Sequence, residues 1–344
     1  MPASSPSRDA RPSAANAGHA PQQIAQALKP VPAATLLGPY PVRLERIFAA
    51  ILRREFGPHD AAGLPLVDYD RWFARHRIKS SGKVGLHYTP VTLAFFGLGH
   101  FARWHEENIR TSEHCFRLVA DWLAQNQVNT RGTGGVWLHR FPMPHLPPLI
   151  EYVPGAWISA MAQGLGASVL LRAFQASGRR EYQQAAHASL LPCKFAMTEG
   201  GVACELPGSR LFLEEFPAAP PLHVLNGALF ALLGLAEFLR CHEDEELAVI
   251  YTRACTGLLA LLPQFDRGFG SLYDLRRRQI ANAEYHELHV QLLLALGELA
   301  QSRELLETGR RWRAYSRFRV KRMRHWLAER NWALRRRLRL GEAR

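Results

Sequence analysis

A mainly α fold built from antiparallel helix pairs is the class this sequence predicts, on three observations. Six segments, 111–126, 157–176, 181–196, 224–240, 244–262 and 284–300, repeat apolar residues at helical spacing. Loops bearing Gly and Pro separate them. Strand signals are confined to short runs opening on glycine pairs, "GGVWLHRF" and "GGVACELP", which read as β-hairpin excursions between helices. This rhythm fits a closed α/α toroid and an open solenoid alike; the lack of a repeat of fixed period counts mildly against the solenoid.

Taken in order, "MPASSPSRDARPSAANAGHAPQQ" has no apolar h-region and reads as a disordered arm over 1–35 rather than a secretory signal. "YPVRLERIFAAILRREFG" then predicts a short amphipathic helix with Leu44, Ile47, Phe48 and Ile51 on one face. The next stretch, "GLPLVDYDRWFARHRIKSSGKVGLHYTP", is loop-like and rich in aromatics. From "PVTLAFFGLGHFARWHEEN" onward helices dominate, and 36–308 is expected to form one domain. The uncharged run from Tyr152 to Leu171 is long enough to cross a bilayer. It contains Pro154, three glycines, Ser159, Gln163 and Ser168, so a buried helix is the better reading.

The net charge of +13 is concentrated at one end. From Arg310 to Arg344 there are fourteen Lys or Arg residues against Glu329 and Glu342, a net +12. This tail, 309–344, interleaves arginines with Trp312, Tyr315, Phe318, Trp326 and Trp332. A basic aromatic helix of this kind suits an anionic membrane surface or a polyanionic glycan; the alternative is a terminal helix packed on the core with solvated arginines. The rest of the chain is nearly neutral and holds no nucleic-acid-binding module, so no specific nucleic acid is expected. The five cysteines form no CxxC pair and are odd in number, which points to reduced thiols. A cytoplasmic setting is expected, with the tail able to hold the protein at the inner face of a membrane.

Three polar stretches lie at helix ends, where a rigid scaffold presents binding groups. "SLYDLRRRQIANAEYHELH" gathers Tyr273, Asp274, Arg276, Tyr285, His286, Glu287 and His289. A phenol can serve as acid or base, and Arg276 could lower its pKa or clamp a carboxylate; Tyr273 and Tyr285 could equally be core residues. His286 and His289 at HxxH spacing lack further metal ligands. "EEFPAAPPLHVLNG" holds Glu214, Glu215, His223 and Asn226. Adjacent glutamates diverge and do not make a glycosidase pair, and Asn226 reads as a helix N-cap or a substrate ligand. "YVPGAWISAMAQGLGASVLLRAF" places Trp157 where a sugar ring could stack, and Gln163 among small residues that permit close helix packing. No P-loop, no dinucleotide fingerprint and no GxSxG appear.

In order and spacing, "WISAMAQG", "EEFPAAPPLHVLNG", "SLYDLR" and "AEYHELH" resemble the C-terminal domain of D-glucuronyl C5-epimerases, over roughly Tyr88 to Leu296. The resemblance implies an α/α toroid that interconverts D-glucuronate and L-iduronate residues within heparosan- and heparan-type chains. Carried over by motif, Glu215, Tyr273, Tyr285 and Arg276 are the implied catalytic groups. Trp157, Gln163, Glu214, Asn226 and His286 would line the sugar groove. Arg276 would neutralise the carboxylate, since otherwise removal of the C5 proton would leave two negative charges on one fragment. The reaction needs no organic cofactor and no metal.

Two positions depart from the family pattern. Phe216 stands where the family reads EEYP, and Phe95-Phe96 where it reads Gln-Tyr. Phenylalanine transfers no proton: if the family phenol is obligatory, the resemblance implies an inactive protein or a different uronate, and if Glu215 and Tyr285 form the proton-transfer pair, it implies an active one. The expected substrate is an acidic polysaccharide or a lipid-linked glycan. A polysaccharide lyase and a non-catalytic glycan-binding or assembly protein are the alternatives. The oligomeric state is open, a homodimer included.

Overall fold

The computed structural model describes residues 37–76, 82–130, 132–142, 155–316 and 319–342. The arm expected over 1–35 and Phe318 of the tail lie outside them. Among the described residues the chain is mainly helical. Its helices are α1 (Glu45–Leu52), α2 (Tyr69–His76), α3 (Pro90–Glu107), α4 (Arg110–Gln125), α5 (Ala160–Ser177), α6 (Arg180–Leu190), α7 (Leu225–Cys241), α8 (Glu245–Phe265), α9 (Ala283–Leu299), α10 (Arg303–Tyr315) and α11 (Arg319–Glu342). Three two-stranded antiparallel hairpins accompany them: β1 (Val67–Asp68) with β2 (Leu86–His87), β3 (Val128–Thr130) with β4 (Gly134–Val136), and β5 (Ala203–Leu206) with β6 (Arg210–Leu213).

Most boundaries fall within a few residues of the sequence expectation. α6 stops at Leu190 instead of running to 196, because Pro192 has no N–H to continue the ladder and the chain tightens into a 3-10 turn over Leu191–Lys194. α2 lies in the stretch read as a loop. The expected break at 308/309 falls inside α10, whose Trp312 and Tyr315 are buried against the domain rather than held out on a tail.

Short connections return the chain, so α3/α4, α5/α6, α7/α8 and α9/α10 form antiparallel pairs. α3, α5, α7 and α9 lie side by side as a row. α1 packs on α3, while its neighbourhood reaches α9: the Arg43 N–H donates to Gln291 at 3.2 Å, and Arg46 pairs with Glu284. The four helices of the row therefore begin at the same end of the domain. α8 is long and apolar enough to cross a bilayer, but its face from Leu247 to Phe265 is packed in the core.

The tightest contact in the row is between α5 and α7, and glycine permits it. A Cβ on Gly164 would stand 2.6 Å from the Ala231 Cα, and one on Gly234 would stand 2.3 Å from the Gly164 carbonyl oxygen. Near the C-terminal ends of both helices, the Arg172 guanidinium grips Glu237 in a fork of 2.8 and 2.7 Å. Both side chains are almost wholly buried. Arg172 also donates to the carbonyls of Gly38 and Ser168, each at 2.9 Å, and lies over the rings of Tyr40 and Phe101. Removing one partner leaves a buried charge without compensation. Replacing Arg172 by Met should therefore lower unfolding free energy by about 3–5 kcal/mol, read from urea denaturation against the parent protein.

Two hydrophobic clusters result. The larger runs the length of the row; the smaller collects Val67, Tyr69, Phe73, Phe141, Trp157, Ala218, Leu222 and Val224 at the end where α5 and α7 begin. Phe216 and Tyr273 pack against this second cluster.

Candidate active site

The second cluster is floored by helix N-termini. Ser159 is the N-cap of α5, Val224 that of α7 and Asn282 that of α9. Only Asn282 caps with its side chain, accepting the Tyr285 N–H at 2.8 Å and so fixing Tyr285 in the first turn of α9. The Leu225 N–H donates to the Tyr273 carbonyl at 3.0 Å, which ties the loop carrying Tyr273 to the start of α7. The two phenol rings meet edge to face, 5.0 Å between centroids.

Glu215 enters this space through the loop between β6 and α7. It fits because residue 227 is glycine: a Cβ there would meet the Glu215 Cβ at 2.6 Å and its Oε2 at 2.7 Å. The Glu215 Oε2 is buried and has no hydrogen-bond partner among the described residues. Burial pushes this carboxyl up to about 8; the Arg277 charge opposes the shift and the Glu214 charge adds to it. Tyr273 is raised well above the ordinary phenol value by burial and by Glu215. Tyr285, 40% exposed as a residue, is pushed up to about 12 by the protein crowded round it and by the charges of Glu215 and Glu284.

A third phenol belongs here that the sequence reading did not single out. Tyr69, at the start of α2, is buried against Phe141 with ring centroids 4.1 Å apart, and Glu215 contributes to its raised pKa after burial itself. The aromatic density of "VDYDRWF" inside an apparent loop was the available signal. Trp157 completes the wall. It stacks on His139 at 4.0 Å, donates its indole N–H to the Phe141 carbonyl at 3.0 Å, and stands 5.4 Å from the Phe216 ring. Phe216 is thus beside the carboxylate's neighbourhood without a hydroxyl. Phe95 and Phe96 are elsewhere, packed in the larger core against Phe230 and Phe48 respectively.

The remaining expected residues divide. Asn226, in the first turn of α7, is buried with its Oδ1 unpartnered among the described residues, as are Ser159 Oγ and His139 Nδ1. Such atoms also occur elsewhere among the described residues, at Tyr40, His242 and Tyr251, so it is their closeness to the Glu215 loop that sets these apart. Arg276 is exposed on the Tyr273 loop, whereas Arg277 is committed to Asp274 by a buried pair at 2.9 Å. Glu214 is a brace: its carboxylate accepts the His223 N–H at 3.0 Å and the His223 ring at 2.5 Å, holding His223 at a left-handed φ of 54°. Gln163 lies within the core, donating to the carbonyls of Gly135 and Ser189 at 3.0 and 2.7 Å. His286 is likewise internal, bonded to the Ser271 hydroxyl and the Trp312 carbonyl. These three are supports rather than groove residues, because their polar atoms are already engaged inside the protein.

Two groups have metal-ligand character. Cys204, Glu214 and His223 offer atoms within 4.8 Å of one another. The His223 Nδ1 is spent on Glu214, and burial together with the charges of Glu214 and Glu205 pushes the Cys204 thiol up to about 11, so the group stands as a hydrogen-bonded pair beside a neutral thiol. His286 and His289 both direct Nδ1 at the Ser271 hydroxyl, at 2.9 and 2.8 Å, which satisfies the HxxH spacing without a metal ion.

Outside the aromatic wall, a cleft of about 410 Å³ is lined by His87, Tyr88, Trp122, Gln127 and Arg140 among others. His87 belongs to both regions, its ring 4.8 Å from Phe141.

The buried Glu215 carboxyl is thus walled by aromatic rings close to where α5, α7 and α9 begin. The sequence profile of the D-glucuronyl C5-epimerase C-terminus matches residues 133–314, and the chain belongs to that family. It is 35% identical over 221 residues to the D-glucuronyl C5-epimerase of Caenorhabditis elegans, covering 59% of this chain and 35% of the worm protein. It is 24% identical over 181 residues to an uncharacterised protein of Methanocaldococcus jannaschii, covering 52% of this chain and 57% of the other. The chain thus spans about a third of the length of one relative and just over half of the other.

A raised carboxyl couples folding to pH with a definite sign. Between the ordinary glutamate value and about 8, folded Glu215 holds a proton that the unfolded chain has released. Its contribution to stability is full at low pH and is lost as pH rises through about 8. Glu215→Gln should lack that downward slope in its own unfolding curve, so that the stability of the parent minus that of the variant falls as pH rises through about 8.

Proposed function

We propose that this protein is a uronyl C5-epimerase acting on D-glucuronate or L-iduronate residues of a polysaccharide or lipid-linked glycan. The observation that carries the reading is the buried, unpartnered Glu215 Oε2, raised to about 8 and set beside phenols from α2, the 273 loop and α9. A base of that pKa is poised near neutral pH. Glu215 takes the proton from C5, and the electron pair of the C–H bond moves into the adjacent carboxylate to give an enediolate. Tyr285 delivers a proton to the opposite face of C5 and recovers one from solvent, to which it is the most open of the three phenols. Glu215 then loses its proton, and the site returns to its starting state. The reverse direction exchanges the two roles.

The doubled negative charge of the enediolate is the main barrier to this chemistry. Arg276, exposed on the Tyr273 loop, supplies a guanidinium for the substrate carboxylate. The converging N-termini of α5, α7 and α9 add partial positive charge where that carboxylate would lie. The cleft from His87 to Arg140, with the rings of His87, Tyr88 and Trp122 in its lining, suits successive rings of a chain, which favours a polymeric substrate over a free sugar. Buried Trp157 is committed to His139. None of these steps routes a proton or an electron through a cofactor.

Incubation with a heparosan-type glucuronan in deuterated water is the test. NMR should show deuterium entering C5 and iduronate appearing; an unsaturated product would identify a lyase, and binding without exchange would identify a glycan-binding protein. Tyr285→Phe should slow exchange by about 10²–10⁴-fold. Phe216→Tyr should change the rate by less than about tenfold, since the proposed pair does not use that position.

A further inference from the structure

The proposed reaction leaves α11 unused. Arg319–Glu342 carries nine Lys or Arg residues against Glu329 and Glu342. The helix docks on the domain along one edge. His325 is buried there, its Nε2 bonded to the Ala281 carbonyl at 2.6 Å and its ring 5.5 Å from that of His286. Beside it, the Arg324 guanidinium lies 5.2 Å from the Phe269 ring.

The opposite face is apolar. At about 100° per residue, Val320, Met323, Leu327 and Leu334 fall in a band roughly 60° wide centred opposite His325. These residues are 66, 59, 51 and 53% exposed. They make up most of a set that, with Trp326, puts five of the described exposed large hydrophobics on this one helix. Trp326 borders the band, with the Arg330 guanidinium 4.7 Å from its ring. Arg330 falls on one side of the stripe by the same spacing, and Arg324 and Arg335 on the other.

We infer that α11 is an interfacial helix that seats this protein on an anionic lipid bilayer. An aliphatic stripe rimmed by arginines with tryptophan at its border matches the boundary between acyl chains and acidic headgroups. A second copy of the helix would bring like charge against like, and a hydrophilic polyanion would satisfy the arginines while leaving Val320, Met323 and Leu327 in water. Charge complementarity and apolar burial are met together only by the bilayer surface. The geometry also fixes an orientation: the face bearing His325 stays on the domain while the stripe faces the lipid.

Sedimentation of the full chain with vesicles of phosphatidylcholine, with and without about 30% phosphatidylglycerol, tests this. The protein should pellet with the acidic vesicles, weakly with the neutral ones, and less in high salt. Met323→Glu combined with Leu327→Glu should weaken binding at least about tenfold at unchanged Tm, because both side chains are exposed. No binding to acidic vesicles would overturn the inference, as would equal binding by the double variant, which would reduce the effect to charge alone. A dimer in analytical ultracentrifugation that the double variant abolishes would assign the stripe to self-association and overturn it as well.

Discussion

Close approach of α5 and α7 is the constraint on which the rest of this structure depends. Gly164 and Gly234 let the two backbones touch, and the buried Arg172–Glu237 fork fixes their relative rotation near the C-terminal ends. Once the two helices are held so, their N-termini must also lie together at the other end. Trp157, Ser159, Val224 and Asn226 are thereby brought to one place, and the loop carrying Glu214 and Glu215 has to pass across it. The Ala160 N–H donating to the Glu214 carbonyl at 3.0 Å records that crossing. The fork thus braces one end of the pair, while the unpartnered atoms of Glu215, Ser159 and Asn226 lie toward the other.

Much of the helical architecture was legible in the sequence, because apolar residues recur at helical spacing and prolines or glycines punctuate the ends. α2 was not, since its eight residues make only about two turns between Gly- and Pro-bearing flanks, too short a run for helical spacing to stand out from a loop. The site was partly legible. The motif resemblance pointed to Glu215, Tyr273 and Tyr285, and the fold gathers them. It could not separate Glu214 and Gln163, whose polar atoms turn inward to brace loops, from residues that face a ligand. Nor did it single out Tyr69: the aromatic-rich run around it was a weak signal, and the contact that brings α2 to Phe141 is long-range. The arginines show the same limit: adjacent in sequence, Arg276 is exposed while Arg277 is locked to Asp274.

The electrostatics of the site has one theme. A carboxyl raised to about 8, phenols held protonated and an exposed guanidinium surround a floor of helix N-termini. Burial holds the Glu215 carboxyl well above the ordinary glutamate value, and the Arg277 charge opposes that shift only in part. Phe216 fits this arrangement as an apolar ring packed beside Trp157 in the second cluster.

The central claim is that Glu215 is the base and that its raised pKa sets the working pH. The direct measurement is the pH dependence of deuterium exchange at C5 of a glucuronan, in the parent protein and in Glu215→Gln. The account predicts a rate that climbs with pH through a midpoint near 8 and is abolished in the variant. A limb centred at the ordinary carboxylate value, or exchange that survives in Glu215→Gln with its pH profile intact, would contradict it.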